Sequence, residues 1–125
     1  MVQSGRLVGF VGVSDLARAE AFYGGTLGLE LRDERPYALV ADVAGTTLRI
    51  TAVATPAAAP YTVLGWSVPD IGTAVDALTT RGVRFTRYDG MGQDERGIWT
   101  APGGAQVAWF TDPDGNTLSL TQLPP

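Results

Sequence analysis

Arg49 and Ser119 occupy the same slot in two copies of one short pattern. Residues 42–51 read DVAGTTLRIT and residues 112–121 read DPDGNTLSLT, sharing the frame G-x-T-L-x-[IL]-T. A guanidinium in that slot is a permanent cation whose planar fork of five donors suits a carboxylate or enolate oxygen. A serine hydroxyl offers one donor and two acceptor lone pairs. Alternation in TTLRIT and NTLSLT puts Thr, Arg or Ser on one strand face and Leu or Ile on the other. Thr47, Thr51 and Thr121 therefore share the faces of Arg49 and Ser119, as further hydroxyls for a ligand or as plain strand formers. Phe10, Tyr37, Trp99 and Trp109 are candidates for an apolar lining, whereas Trp66 is expected under a helix.

Two absences limit the chemistry. The chain has no His and no Cys. Imidazole relays, thiolate nucleophiles and the usual zinc or iron ligands are thereby excluded. A metal would need an all-oxygen site of the kind that suits Mg²⁺ or Ca²⁺. A general base would have to be Asp, Glu, Tyr or a bound water. The net charge of −4, with no basic stripe, argues against nucleic acid as partner. No apolar run reaches membrane-span length and MVQSGRLVGF lacks a signal-peptide pattern, so no membrane partner and a cytoplasmic location are expected.

The elements that position these residues also come in duplicate. VSDLARAEAFYGGTLGLEL begins at Val13, and VPDIGTAVDALTTRGVRF begins at Val68. At an offset of 55, Val13, Asp15, Leu16 and Ala19 meet Val68, Asp70, Ile71 and Ala74. Each copy predicts a strand, an Asp that caps a helix, apolar residues at helical spacing, and a glycine (Gly28, Gly82) at the C-terminal cap. Strand-like stretches follow: LELRDE, YALVADV and TTLRITAV in the first copy, VRFTRY, AQVAWFT and NTLSLTQ in the second. Asp114-Gly115 marks DPDGN as a turn, not a metal loop. With 125 residues the chain is long enough for one domain with a real core. The fold expected is α+β: two βαβββ modules at about 5–54 and 62–123, joined by a Pro- and Ala-rich linker at about 55–61. They would form a curved mixed sheet around a cleft, with helices on the convex side.

This arrangement resembles the vicinal oxygen chelate superfamily, which includes glyoxalase I, extradiol dioxygenases, fosfomycin-resistance enzymes and bleomycin-binding proteins. The resemblance rests on VGVSDLARAEAFYGGTLGLEL, VPDIGTAVDALTTRGV and AWFTDPDGNTLSLTQ, and covers nearly the whole chain. In metal-dependent members it implies one ligand on the first and last strand of each half, which here fall at Val8, Arg49, Val63 and Ser119. The usual occupants are His or Glu. Valine has no lone pair and Arg no acceptor. A divalent ion about 4 Å from a guanidinium would be repelled by roughly 8 kcal/mol at an effective dielectric near 20. The expectation is no metal and no cofactor.

Arg49 then has three readings: an internal ion pair with a neighbouring strand carboxylate such as Asp42 or Glu30, contact with an anionic or carbonyl-bearing ligand, or exposure to solvent. The loop YDGMGQDERG, 88–97, would be a solvated connection or a cover that brings Asp94 or Glu95 up as a general base beside Arg49. The preferred function is metal-free binding of a small anionic or aromatic compound, with Arg49, Ser119, Phe10, Thr51, Trp99 and Trp109 as ligand contacts. The alternative is a metal-independent isomerase or lyase with Arg49 as electrophile; a metal-dependent glyoxalase or dioxygenase ranks third. The resemblance also implies a homodimer.

Overall fold

Asp15 and Asp70 open the two helices. Each has extended backbone, φ −143° and −144°, and each carboxylate accepts the N–H three residues on, from Arg18 at 3.0 Å and from Thr73 at 3.1 Å. Such a cap satisfies one orphan donor of the first turn and contributes about 1 kcal/mol. Gly28 and Gly82 have φ +76° and +94°, the left-handed conformation that a helix end favours and that only glycine adopts without strain.

A computed structural model describes residues 1–125, and the chain divides into two compact units, Met1–Ala57 and Ala58–Pro125. The first contains β1 (Val8–Val13), α1 (Leu16–Ala19), which continues as a π-helical segment (Glu20–Thr26), β2 (Arg32–Glu34), β3 (Ala38–Val43) and β4 (Thr46–Ala52). Its sheet runs β1-β4-β3-β2, with β1 parallel to β4 and the other pairs antiparallel. The second contains β5 (Leu64–Ser67), α2 (Ile71–Thr80), β6 (Trp99–Thr100), β7 (Gln106–Thr111) and β8 (Thr117–Gln122). Its sheet runs β5-β8-β7-β6, again with only the first pair parallel. Both units are βαβββ with one topology, an α+β fold built from a repeated module. No helix is long and apolar enough to cross a membrane.

Strand alternation decides which face each module buries. In the first, Val11, Val13, Leu39, Ala41, Leu48 and Ile50 point to one face and, with Leu16, Ala19 and Tyr23 from the helix, form the core. In the second, Ala108, Phe110, Leu118 and Leu120 do the same beneath Ile71 and Val75 of α2. Half-buried Trp66, opposite Leu120, is on this helix-facing side, as its parity predicts. The other face of each sheet carries the polar slots: Thr47, Arg49 and Thr51 in one module, Thr117, Ser119 and Thr121 in the other.

Two elements differ from expectation. The first helix is α-helical for one turn and then widens. Leu27 N–H donates to Phe22 O at 2.9 Å, five residues back, across Gly24-Gly25, which lack the side chains that favour an α-helix. VRFTRY is not a strand. Thr86 N–H donates to Trp109 O at 2.7 Å, but the Gln93 side chain takes the neighbouring ladder groups, donating to Thr86 O at 2.9 Å and accepting from Tyr88 N–H at 2.7 Å. The edge strand of the second sheet is β6 instead. LELRDE likewise shortens to Arg32–Glu34.

DPDGN is a turn. The buried Asp112 carboxylate accepts N–H bonds from Asp114 at 3.0 Å and Asn116 at 2.9 Å, and an amide bond from Asn116 Nδ2 at 2.8 Å. Its oxygens serve the backbone, which leaves them no role as metal ligands.

Candidate functional site

On the polar face of the first module, Arg49 of β4 lies between Phe10 of β1 and Val40 of β3. Val8 and Gly12 share that face through their pairing with Thr47 and Thr51. Phe10 is 63% exposed, so a large apolar ring stands in the open beside the guanidinium. The Arg49 partner is neither Asp42 nor Glu30. Arg49 Nη1 donates to Glu34 Oε1 at 3.1 Å, from an edge strand whose register puts Glu34 beside Ala38 and within reach. Asp42 is taken by Arg32 at 2.7 Å and by the Thr47 hydroxyl at 3.1 Å. The Arg32 hydrogen bond, followed by that of Thr47, holds the Asp42 carboxyl below its ordinary range. The Arg49 and Glu34 side chains are 32% and 43% exposed, and such a pair is worth about 0–1 kcal/mol. Thr51, on the same face, has a hydroxyl sealed from solvent with no hydrogen-bond partner. Tyr37 is in the β2–β3 turn, mostly exposed.

On the polar face of the second module, Ser119 of β8 is 6% exposed and lies between Gly65 of β5 and Trp109 of β7. A Cβ on Gly65 would come within 2.7 Å of Ser119 Oγ, so the hydroxyl fills the space that a side chain at 65 would need. Trp99 of β6, through its pairing with Val107, is on this face too. The Trp99 and Trp109 rings are 6.0 Å apart and tilted by 35°, and Tyr88 meets Trp109 edge-on at 5.5 Å and 89°. Ser119, Trp99 and Trp109 are thus brought together, and Tyr88, Gly65 and Glu34 are additions that sequence reasoning missed. The repeat did carry a sign of Gly65, because the offset of 55 sets it against Phe10. Nothing in the spacing marks Tyr88 or Glu34.

In the loop 88–97 the two carboxylates expected as bases, Asp94 and Glu95, have other places. Asp94 Oδ1 accepts from Arg96 N–H and Ile98 N–H, both at 2.9 Å, and so caps the turn. Arg96 binds Asp76 of α2 through two bonds of 2.9 Å, and Glu95 lines an open groove of about 430 Å³ beside that helix. A second open depression, about 470 Å³, lies at Glu30, Leu31, Arg32 and Asp42.

The donor set does not fit the divalent ion that the fold implies. Val8 and Val63 carry no lone pair, Arg49 is a cation already paired with Glu34, and Ser119 alone is a weak ligand. Nowhere do three carboxylates converge to hold an ion. No step can be routed through a metal at these positions.

Known proteins place this geometry. Residues 5–120 match the family model described as Glyoxalase/Bleomycin resistance protein/Dioxygenase superfamily. Among solved structures, a member of that superfamily from Sphaerobacter thermophilus is 26% identical with a TM-score of 0.74, over 98% of this chain and 100% of that one. TnmS3, an antibiotic binding protein from a Streptomyces species, is 26% identical with a TM-score of 0.70, over 99% of each chain. A putative glyoxalase family protein from Bacillus anthracis shares the fold at 16% identity and a TM-score of 0.75, over 97% of this chain and 96% of that one. No curated protein matches the sequence. A repeated βαβββ module, matched across nearly its full length, makes this chain a member of the glyoxalase/bleomycin resistance protein/dioxygenase superfamily.

Proposed function

We propose that this protein is a metal-free binder of small aromatic compounds that carry an anionic or carbonyl oxygen, acting as a cytoplasmic homodimer that sequesters its ligand. The observation that carries this reading is the Tyr88–Trp109–Trp99 cluster beside Ser119 on one face of the second sheet. Offset or edge-on aromatic contacts stabilise a bound ring by about 0.5–1.5 kcal/mol beyond area burial, and Ser119 supplies a hydroxyl at the centre of that face. Taken by itself, the polar face of the first module offers Arg49, whose fork suits an anionic or carbonyl oxygen. Its pair with Glu34 is single-point and half-exposed, so a ligand carboxylate replaces Glu34 at little cost. Phe10 adds apolar contact, whereas the Thr51 hydroxyl, expected from the sequence to meet the ligand, is sealed beneath the surface. Likeness to an antibiotic binding protein at 26% identity supports a sequestering role.

Calorimetry of the metal-stripped protein against aryl carboxylates and their neutral amides tests this. Trp109→Ala is expected to weaken binding about tenfold. Arg49→Ala is expected to cost the carboxylates about tenfold to a hundredfold and their amides much less. Binding that requires an added divalent ion, or that ignores both substitutions, sinks the reading.

The Arg49–Glu34 contact also favours a second reading, a metal-independent isomerase or lyase. There Arg49 would stabilise an oxyanion while Glu34 moves a proton. Turnover lost in both Arg49→Ala and Glu34→Gln, with the fold intact, would establish it over simple binding.

A further inference from the structure

Segment 83–88 runs beside β7 without forming a strand, and besides the Thr86–Trp109 backbone bond it is held by one side chain. Gln93 Nε2 donates to Thr86 O and to Gly97 O, both at 2.9 Å, and Gln93 Oε1 accepts from Tyr88 N–H at 2.7 Å. Its backbone carbonyl accepts from Arg87 Nη2 at 3.2 Å. The far end of the loop is tied down separately, by Arg96 on Asp76 and by Asp94 over the Arg96 and Ile98 amides. A loop whose polar groups are satisfied at both ends behaves as a wall, not as a lid. At the edge of that wall is Tyr88, its ring perpendicular to Trp109 and 39% exposed.

We infer that Tyr88, held by the side-chain amide of Gln93, is the stop that sets how large a fused ring system the Trp99–Trp109 shelf accepts. This deepens, and rests on, the aromatic-binding reading above. A flat ligand laid against Trp109 meets the Tyr88 ring, whose centroid is 5.5 Å from that of Trp109. The Tyr88 N–H bond to Gln93 fixes the backbone that carries the ring, and the same amide bridges Thr86 and Gly97, so the ring gives way by rotating about its own side-chain bonds against Trp109 and not by a shift of the loop. Gln93 thus acts through Tyr88 as a positioning residue and selects by size without touching the ligand.

The test uses two probes, 2-naphthoate and pyrene-1-carboxylate, with the full chain and calorimetric affinities. Wild type is expected to prefer the naphthoate by about tenfold or more, within the range that pocket size alone supplies. Tyr88→Ala removes most of that preference. Gln93→Met removes part of it in the wild-type background and has no further effect in the Tyr88→Ala background, because its influence passes through Tyr88. Thermal melts of each variant separate a selectivity change from general loosening. Equal affinity of wild type for the two probes, an unchanged ratio in Tyr88→Ala, or a Gln93→Met shift of equal size in both backgrounds would overturn the inference. Trp109→Ala separates the two levels. If it leaves naphthoate binding intact, the shelf itself is wrong. If it abolishes binding while Tyr88→Ala leaves the ratio alone, only the stop is wrong.

Discussion

Thr51 carries a cost in stability that its surroundings do not offset. Its hydroxyl is buried without a partner, and such a group costs about 1–3 kcal/mol of desolvation. Thr51→Val keeps the shape and removes the polar atom, so unfolding in urea should shift upward by about 1 kcal/mol. Unchanged or lowered stability would mean that the hydroxyl is satisfied in solution. Gly65 makes the opposite prediction. Its missing Cβ leaves room for Ser119 Oγ, and Gly65→Ala places a carbon 2.7 Å from that atom. Overpacking of this kind costs about 1–3 kcal/mol, and much of it should return in the Gly65→Ala/Ser119→Ala double variant. Costs that simply add would show that the two sites do not meet. The two slots were legible because the chain writes its pattern twice, and position alone identified Arg49 and Ser119 as counterparts. The partner of Arg49 was not legible. Asp42, Glu30 and Glu34 are equal candidates until β2 takes its register on β3, which places Glu34 within reach and leaves Asp42 to Arg32.

At the scale of elements, local chemistry was readable where one residue decides the backbone and opaque where a distant side chain does. Asp15, Asp70, Gly28 and Gly82 each fix a helix end by themselves. The fate of 83–88 depended on Gln93, five residues beyond it, and no periodicity reports that. The β3–β4 hairpin gives a direct test of turn chemistry. Its two-residue loop has φ +48° at Ala44 and +88° at Gly45, the pattern of a type I′ turn. Alanine is strained there by about 1–2 kcal/mol, whereas Asn tolerates the left-handed region, so Ala44→Asn should raise stability by about 0.5–1 kcal/mol in chemical denaturation. The neighbouring strands also predict a pH response. The Arg35 backbone N–H, and after it the Arg35 charge, hold Asp33 below its ordinary range, and Arg32 does the same for Asp42. Because both folded values lie below the unfolded ones, the stabilisation is full above about pH 5 and fades as pH falls toward 2. Asp33→Asn and Asp42→Asn should therefore flatten the acid side of the stability profile and leave its alkaline side alone. An acid limb that keeps its slope in both variants would assign the response to other carboxylates.

For the whole molecule, duplication is what makes so short a chain readable. A βαβββ unit leaves one sheet face without a helix to cover it, and the sequence shows two such units of one topology. What the sequence does not reveal is how much apolar surface the uncovered face retains. In the first module Val8 and Phe10 are on an edge strand, exposed at 42% and 63%, beside charged neighbours that form pairs among themselves. Exposed apolar side chains on an edge strand are what the homodimer proposed above would cover. That proposal has a mass to check. The 13.1 kDa chain should sediment at twice that value at micromolar concentration. Phe10→Glu puts a charge where the contact must be dry and should weaken association by about tenfold or more, as loss of an aromatic anchor does. Leu123→Glu, at an equally exposed apolar position near the C-terminus, should leave it unchanged. A wild-type chain that sediments as a monomer, or a Phe10→Glu variant that associates as well as wild type, would show that this face is open for ligand alone.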